Sequence, residues 1–346
     1  GSTWKPIMTA GALTHGFSTD TRLNCSSSFQ VGNQNFQNYE SQPYGMIGFN
    51  QALQVSCNTF FYRVGYELWL RAGGESEGAD ADAVLADMAH AFGIGQETGI
   101  DVPGEADGRV ADPQWKQAYW DEMKAYYCKR DKRLSKAGAN GFQALYAHEF
   151  CLEGYQYRAG DAVNFVIGQG DTIITPIQLA VAYSALANGG TVWEPRVGKA
   201  IVDPDGDLVK RIPPQKVRDV PVPVSTLRYI DRALQGTARI GTYAWKLVGF
   251  PLDKVHIRAK TGTAEVHGRQ TTGWLATYDK NYVVVSMIEQ GGTGSGSSGD
   301  AVRKVWEALY GVKGSKVHSE DALLPGAEPP TLLPRFKADG SILGPR

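Results

Sequence analysis

From residue 257 onward the chain reads as three strands in quick succession, over 257–266, 272–278 and 282–289, the last two joined tightly through Asp279-Lys280-Asn281. Most of what precedes them reads as helix and irregular loop. Sheet and helix on this scale point to one large α/β domain with insertions, and 346 residues is a fair size for that. With 42% hydrophobic and 21% charged residues, such a domain buries a sizeable core.

Helical patterns fall at 3–12, with Ser2 at the N-terminus, and at 49–54, 58–70, 81–92 (ending at Gly93), 176–188, 225–238 and 300–310. Pro176 sits near the start of its helix and Gly189-Gly190 follows the end. Residues 16–48, rich in Ser, Asn, Gln and Gly, read as irregular loop with one hairpin, and 291–299 as a flexible loop. Asp203-Pro-Asp-Gly206, between strands at 197–202 and 208–212, signals a second hairpin. The charged and aromatic stretch 115–157 reads as an insertion packed on the surface. After Gly314 the chain is proline-rich and reads as a loose tail. These boundaries give a domain over 1–313 and a tail over 314–346.

Several function classes are disfavoured. A net charge of −1 gives no overall electrostatic case for nucleic acid or an anionic membrane. The longest apolar run, 177–187, is far too short to span a bilayer. The histidines form no H-x-x-x-H pair, and no G-x-S-x-G elbow or phosphate loop ending in Gly-Lys-Ser/Thr is present. Four cysteines, Cys25, Cys57, Cys128 and Cys151, contain no C-x-x-C; as two disulfides they allow three connectivities, and their count alone does not fix the compartment.

Three short motifs carry chemistry. In Ser2-Thr3-Trp4-Lys5 a helical turn brings positions i and i+3 to one face, so the Lys5 amine is expected beside the Ser2 hydroxyl. A serine is a weak nucleophile until a base takes its proton, and a lysine is that base when burial and nearby positive charge keep its amine neutral. Ser56-Cys57-Asn58 opens a helix. Its bland reading is an N-cap; its functional reading makes Ser56 a proton shuttle and Asn58 a ligand for a substrate amide, with Cys57 turned away. In Lys260-Thr261-Gly262-Thr263, Gly262 is odd inside a strand and signals close approach of a ligand or another backbone. Thr261 and Thr263 offer hydroxyls to a carboxylate, the N–H groups of Thr263 and Ser2 offer an oxyanion hole, and Lys260 offers positive charge to a substrate carboxylate. Each motif alone is weak, since Ser-x-x-Lys recurs by chance; the three in this order are specific.

The conjunction resembles class B penicillin-binding proteins. Gly1-Ser-Thr-Trp-Lys-Pro6 is similar to their active-site helix, Ser56-Cys-Asn-Thr-Phe-Phe-Tyr62 to their S-x-N segment, and Lys260-Thr-Gly-Thr-Ala-Glu265 to their K-T-G segment. Gly168-Gln-Gly170 with Thr175-Pro-Ile-Gln178, and Trp274, fit as well. The resemblance runs from Gly1 to about Gly311, and is strongest to the actinobacterial penicillin-binding protein 2 subgroup of cell elongation.

The resemblance implies a serine D,D-transpeptidase. Ser2 would attack the penultimate D-alanine carbonyl of a peptidoglycan stem peptide, Lys5 would take its proton, Ser56 would protonate the leaving D-alanine, and a neighbouring stem-peptide amine would complete the cross-link. β-Lactams would acylate Ser2 in the same way. Alternatives are a D,D-carboxypeptidase or β-lactamase, a non-catalytic β-lactam sensor, and a wall-synthesis scaffold. No cofactor or metal is implied. The expected partner is a membrane glycosyltransferase of the shape-elongation-division-sporulation family. The implied location is the extracytoplasmic face of the membrane, held by an N-terminal anchor helix outside this chain. Disulfides persist there, so the resemblance pairs Cys25 with Cys57 and Cys128 with Cys151; zinc, with His148 near Cys151, ranks below. The family fold is an antiparallel five-stranded sheet flanked by helices, with its first strands before the serine helix. Those strands are expected to be missing here, leaving 282–289 with an open edge and the isolated chain unstable and weakly active.

Overall fold

The computed structural model describes residues 1–75, 83–205 and 207–323, with the backbone of 335–336 and 342–343. Gly206 of the second hairpin, the first residues of the helix expected at 81–92, and most of the tail lie outside the described residues.

The sheet is β9 (Arg258–Ala264), β10 (Thr272–Tyr278) and β11 (Val283–Ile288), antiparallel in the order β11-β10-β9. Registers run Thr263↔Gly273 and Lys260↔Ala276 on one side of β10, and Ala276↔Val285 on the other. It supplies three of the five strands the resemblance implies. Among the described residues β11 pairs only with β10, so its other edge is open.

Helices cover both faces. Helix α8 (Pro176–Asn188) is started by a capping box between Thr175 and Gln178, stopped by left-handed Gly189, and buries Leu179, Ala182, Tyr183 and Leu186. With α1 (Lys5–Thr14), α3 (Asn58–Arg71) and α9 (Val224–Arg239) it belongs to the larger core. α9 is also fixed to the sheet, where Arg258 makes two 2.9 Å bonds to Asp231 and Tyr278 donates to the same carboxylate at 3.1 Å. On the other side α10 (Gly294–Tyr310) buries Val302 and Trp306, whose indole N–H donates to Thr277 Oγ1 at 2.8 Å.

Four expectations need correction. Residues 294–299, read as flexible loop, are the first turns of α10. Their Gly/Ser composition is a packing requirement: a Cβ on Gly294 would stand 2.1 Å from the Trp274 carbonyl oxygen. The 16–48 segment holds the hairpin β2 (Ser28–Val31) with β3 (Gln34–Gln37), and also a second pair, β1 (Arg22–Cys25) with β4 (Gly45–Gly48). Strands of four residues are too short to show a period. The sequence reading also omits β5 (Thr191–Glu194) and β8 (Gln215–Asp219), which pair with each other and flank the second hairpin, β6 (Ala200–Val202) with β7 (Leu208–Arg211). The described start of the tail folds back on α10: His318 donates to Gly311 O at 2.8 Å and Leu323 to Ala308 O at 3.0 Å.

The 115–157 stretch is a helical hairpin, α5 (Pro113–Lys136) and α6 (Phe142–Glu153). Asp112 caps α5, accepting from the Trp115 N–H at 2.6 Å. A Cys128–Cys151 disulfide and an aromatic cluster of Tyr119, Tyr127, Tyr146 and Phe150 close it. The second disulfide, Cys25–Cys57, joins β1 to the start of α3. It closes a loop with a sequence separation of 32. A loop of that size is worth about 3–4 kcal/mol. The Cys25→Ser/Cys57→Ser pair should therefore unfold at markedly lower denaturant than the parent, with a somewhat larger m value because the unfolded chain without the cross-link exposes more surface.

Candidate active site

The three motifs converge on one cleft of about 630 Å³. Ser2 sits in a 3₁₀ turn, Ser2–Trp4, that runs directly into α1, and the Lys5 N–H closes the turn on Ser2 O. In a 3₁₀ turn side chains at i and i+3 eclipse, so residues 2 and 5 lie above one another. The turn is seated by Thr3, whose carbonyl accepts from the buried Tyr183 hydroxyl at 2.8 Å.

Lys5 is fully buried, and its Nζ donates to the Ser56 carbonyl and to Asn58 Oδ1, both at 2.7 Å, with Ser56 Oγ at 3.4 Å. Among the described residues the Lys5 amine bonds to Ser56 and Asn58 rather than to the Ser2 hydroxyl. The two carbonyl oxygens hold the N–H groups, and among the described residues the Ser2 hydroxyl has no partner. A neutral amine has two N–H groups and one lone pair, so this bonding leaves the lone pair free.

Lys260 is also fully buried; its Nζ donates to Ser56 Oγ at 2.8 Å and to Thr261 O at 3.0 Å. Burial turns the amine onto Ser56, so the pull expected of its charge on a substrate carboxylate acts across space. Burial pushes Lys260 down to about 7, and burial together with the Lys260 charge holds Lys5 well below the usual lysine range. Ser56 Oγ thus lies between two lysines of depressed basicity. Ser56 holds φ +58°, a left-handed conformation that a non-glycine residue adopts only at a cost of about 1–2 kcal/mol.

Several contacts hold that turn. Cys57, buried and bonded to Cys25, points away from the cleft, and its sulfur accepts from the Phe60 N–H at 3.3 Å. Asn38, which carried no signal in the sequence, accepts from the Asn58 N–H at 2.8 Å. With Asn58 Oδ1 engaged by Lys5, the Asn58 Nδ2 group remains for a ligand carbonyl.

The third motif lies on β9. Gly262 answers the sequence question in favour of another backbone: a Cβ there would meet Thr3 N and Cγ2 at 3.1 Å and Trp274 Cβ at 3.2 Å. Glycine lets the turn carrying Ser2 press against the strand carrying Thr263. Thr261 Oγ1 shares a 2.7 Å hydrogen bond with Thr242, another residue without a sequence signal. Gln169 also went unassigned, though the Gly168-Gln-Gly170 signature marks its place. Its Nε2 donates to Thr263 O at 3.2 Å and its Oε1 accepts from the Glu265 N–H at 3.1 Å. This is how one residue of a neighbouring strand would bond, so Gln169 clasps the cleft edge of β9 beside Thr263.

A family model described as the penicillin binding protein transpeptidase domain matches residues 1–307. Peptidoglycan D,D-transpeptidase MrdA of Acinetobacter baumannii is 24% identical over 332 residues, covering 89% of this chain and 41% of that protein. The protein of the same name from Escherichia coli K12 is 25% identical over 354 residues, covering 94% of this chain and 48% of that one. The chain thus spans less than half the length of these curated relatives. Among solved structures, a peptidoglycan synthase complex described as coordinating polymerization and crosslinking is similar with a TM-score of 0.70 and 26% identity, over 91% of this chain and 47% of that one. Pseudomonas aeruginosa PBP2 in complex with WCK 5153 has a TM-score of 0.68 at 24% identity, over 93% of this chain and 63% of that one.

Two predictions follow from the geometry. One pKa unit is about 1.4 kcal/mol, so moving Lys260 from 10.5 to about 7 costs roughly 5 kcal/mol below about pH 7, where both the folded and the unfolded chain are protonated. Between about pH 7 and 10.5 the unfolded chain holds a proton that the folded Lys260 has lost, so stability rises with pH in that window and falls to its plateau below it. Lys260→Met should be more stable than the parent at pH 7 by about 2 kcal/mol, after loss of its hydrogen bonds, and the difference should shrink toward pH 10 in parallel denaturant titrations. Gln169→Leu keeps bulk but releases the β9 edge. It should slow β-lactam acylation about tenfold while moving the thermal midpoint little, and an unchanged rate would show that the clasp does not hold Thr263.

Proposed function

The chain belongs to the penicillin-binding protein transpeptidase family, and from that premise we propose that it is the serine D,D-transpeptidase domain of a class B member acting in cell-wall elongation, of the penicillin-binding protein 2 kind. The observation that carries the reading is the run Lys5–Ser56–Lys260, two buried amines of lowered basicity meeting at one hydroxyl, one helical turn from Ser2.

In this reading the neutral Lys5 amine takes the Ser2 proton through its free lone pair as Ser2 Oγ attacks the penultimate D-alanine carbonyl of a stem peptide. The oxyanion is received by the Ser2 and Thr263 N–H groups. As the C–N bond breaks, the proton held on Lys5 passes through Ser56 to the departing D-alanine nitrogen. Lys260 keeps the Ser56 hydroxyl oriented by donating a hydrogen bond to Ser56 Oγ, while the transferred proton comes from Lys5. Asn58 Nδ2 binds a donor-peptide carbonyl, and the Thr261 and Thr263 hydroxyls bind the terminal carboxylate. An amine of a second stem peptide then attacks the ester carbonyl and gives a proton to Lys5, which passes it to Ser2 Oγ as the ester C–O bond breaks, restoring the Ser2 hydroxyl and the neutral amine. β-Lactams would enter at the first step and stay as the ester.

Residues 1–313 would be this domain, with the helical hairpin as its insertion and 314–346 as a C-terminal tail. Among the described residues no helix is long and apolar enough to cross a membrane. We place the domain on the extracytoplasmic face by its substrate, held there by an N-terminal anchor, beside a glycosyltransferase of the shape-elongation-division-sporulation family. The likeness to a synthase complex that couples polymerization and crosslinking supports that partner class. The actinobacterial branch rests on sequence resemblance.

Fluorescent-penicillin labelling of the intact protein beside its Ser2→Ala variant tests the reading. Labelling should be stoichiometric in the parent and absent in Ser2→Ala, and Lys5→Ala should slow it by a factor of about 10²–10⁴. A folded parent that takes no label would sink the acyl-enzyme reading.

A further inference from the structure

The near-zero net charge hides a local cluster at the far end of the helical hairpin. Between Cys128 and Ala137, α5 carries Lys129, Arg130, Lys132, Arg133 and Lys136 against one acid, Asp131. That acid is engaged elsewhere, its carboxylate meeting His148 at 3.3 Å and Ser135 at 3.4 Å. Lys129, Lys132, Arg133 and Lys136 are exposed and, among the described residues, make no ion pair or side-chain hydrogen bond. Arg130 donates to the Tyr126 hydroxyl at 3.3 Å and to Gln143 at 2.8 Å, yet its buried Nε has no partner.

The spacing gathers these groups. Positions 126, 129, 130, 133 and 136 recur on one helix face, and together with Lys132 they line one open groove of about 550 Å³. Like charges at these spacings each cost about 0.2–0.5 kcal/mol. The helix dipole offsets this only in the last turn, at Arg133 and Lys136. Lys129, Arg130 and Lys132 lie outside that turn, so the cluster is held against its own repulsion.

The groove is lined by side chains of a single helix, and what selects among polyanions is its aromatic rings rather than its shape. One wall is the ring of Tyr126, 53% exposed, and close by at the start of α6 the ring of Phe142, 76% exposed, stacks on Tyr146. Flat apolar rings beside unpaired cations match a polymer whose units have both an apolar face and a negative charge, as sugar rings bearing carboxylates or phosphates do.

We propose that the tip of the helical hairpin is a docking site for an anionic glycan chain, held by Lys129, Arg130, Lys132, Arg133 and Lys136 and stacked on Tyr126. The choice of a glycan rests in part on the proposed role in the cell wall; the cationic groove itself does not. Such a site would keep the enzyme on the polymer while its cleft, elsewhere on the domain, works on the peptides.

The test uses the intact protein with three probes, heparin, poly-glutamate and phosphatidylglycerol vesicles, over a range of salt. Penicillin labelling is run in parallel, so that a failed enzyme reading shows separately from a failed docking reading. Heparin should bind with steep salt dependence. The Lys129→Gln/Lys132→Gln/Arg133→Gln/Lys136→Gln variant should weaken it at least about tenfold, with labelling unchanged and a thermal midpoint equal to or above the parent's, because repulsion is relieved. Tyr126→Ala should weaken heparin about fivefold and leave poly-glutamate unaffected. Heparin binding that survives the quadruple variant, poly-glutamate binding as tight as heparin with no Tyr126 effect, binding to vesicles alone, or no binding at all would each overturn the proposal.

Discussion

Two lysine amines buried within reach of one serine hydroxyl set the terms for the rest of the structure. An ammonium has no favourable place in a dry interior unless it is paired, and the described structure gives neither Lys5 nor Lys260 a carboxylate. What they have are carbonyl oxygens and Ser56 Oγ, so the environment favours the neutral amine and resists a second charge. The same condition that makes Lys5 a usable base makes the site a debt in folding free energy. It is kept only because α1, α3 and β9 are fixed to one another by other means.

Those means are visible around Ser56. Its left-handed backbone aims Oγ between the two amines, a conformation the local sequence does not favour. The Cys25–Cys57 disulfide and the bond from Asn58 N–H to Asn38 both anchor the chain directly after that residue. Glu40 and Ser41, just beyond Asn38, also hold positive φ. Strain is thus gathered in the segments that border the cleft, while the sheet and α8 are regular. The 22–48 lobe acts as a clamp on the shuttle serine, and on this view the disulfide has a catalytic consequence without touching a ligand.

Sequence reading reached the parts whose signal is local. The three motifs announce their chemistry by residue type and order, and α8, bracketed by Thr175-Pro176 and Gly189, appears at the boundaries read for it. The strands of the sheet are long enough for their pattern to show. It faltered where residues serve distant contacts. Gly294 is glycine because Trp274 O stands against it, so the first turns of α10 look like a loop. Asn38 and Thr242 reach the site through single hydrogen bonds from loops, with no spacing to mark them. The motif for Lys5 shows its neighbour at i−3 but not the two acceptors that hold its amine, which come from residues more than 50 positions away.

A net charge of −1 also misled in a particular way. Net charge is a sum over a molecule some tens of ångströms across, and screening makes charges more than about 10 Å apart nearly independent. Five cations on two turns of α5 therefore act as a local potential whatever the rest of the surface carries. The Cys128–Cys151 link ties α5 to α6 at the start of that cationic stretch and holds its backbone in place although the side chains repel. Cations on a helical backbone lose less backbone entropy on meeting a polymer than those of a flexible basic tail, and so need fewer contacts for the same affinity.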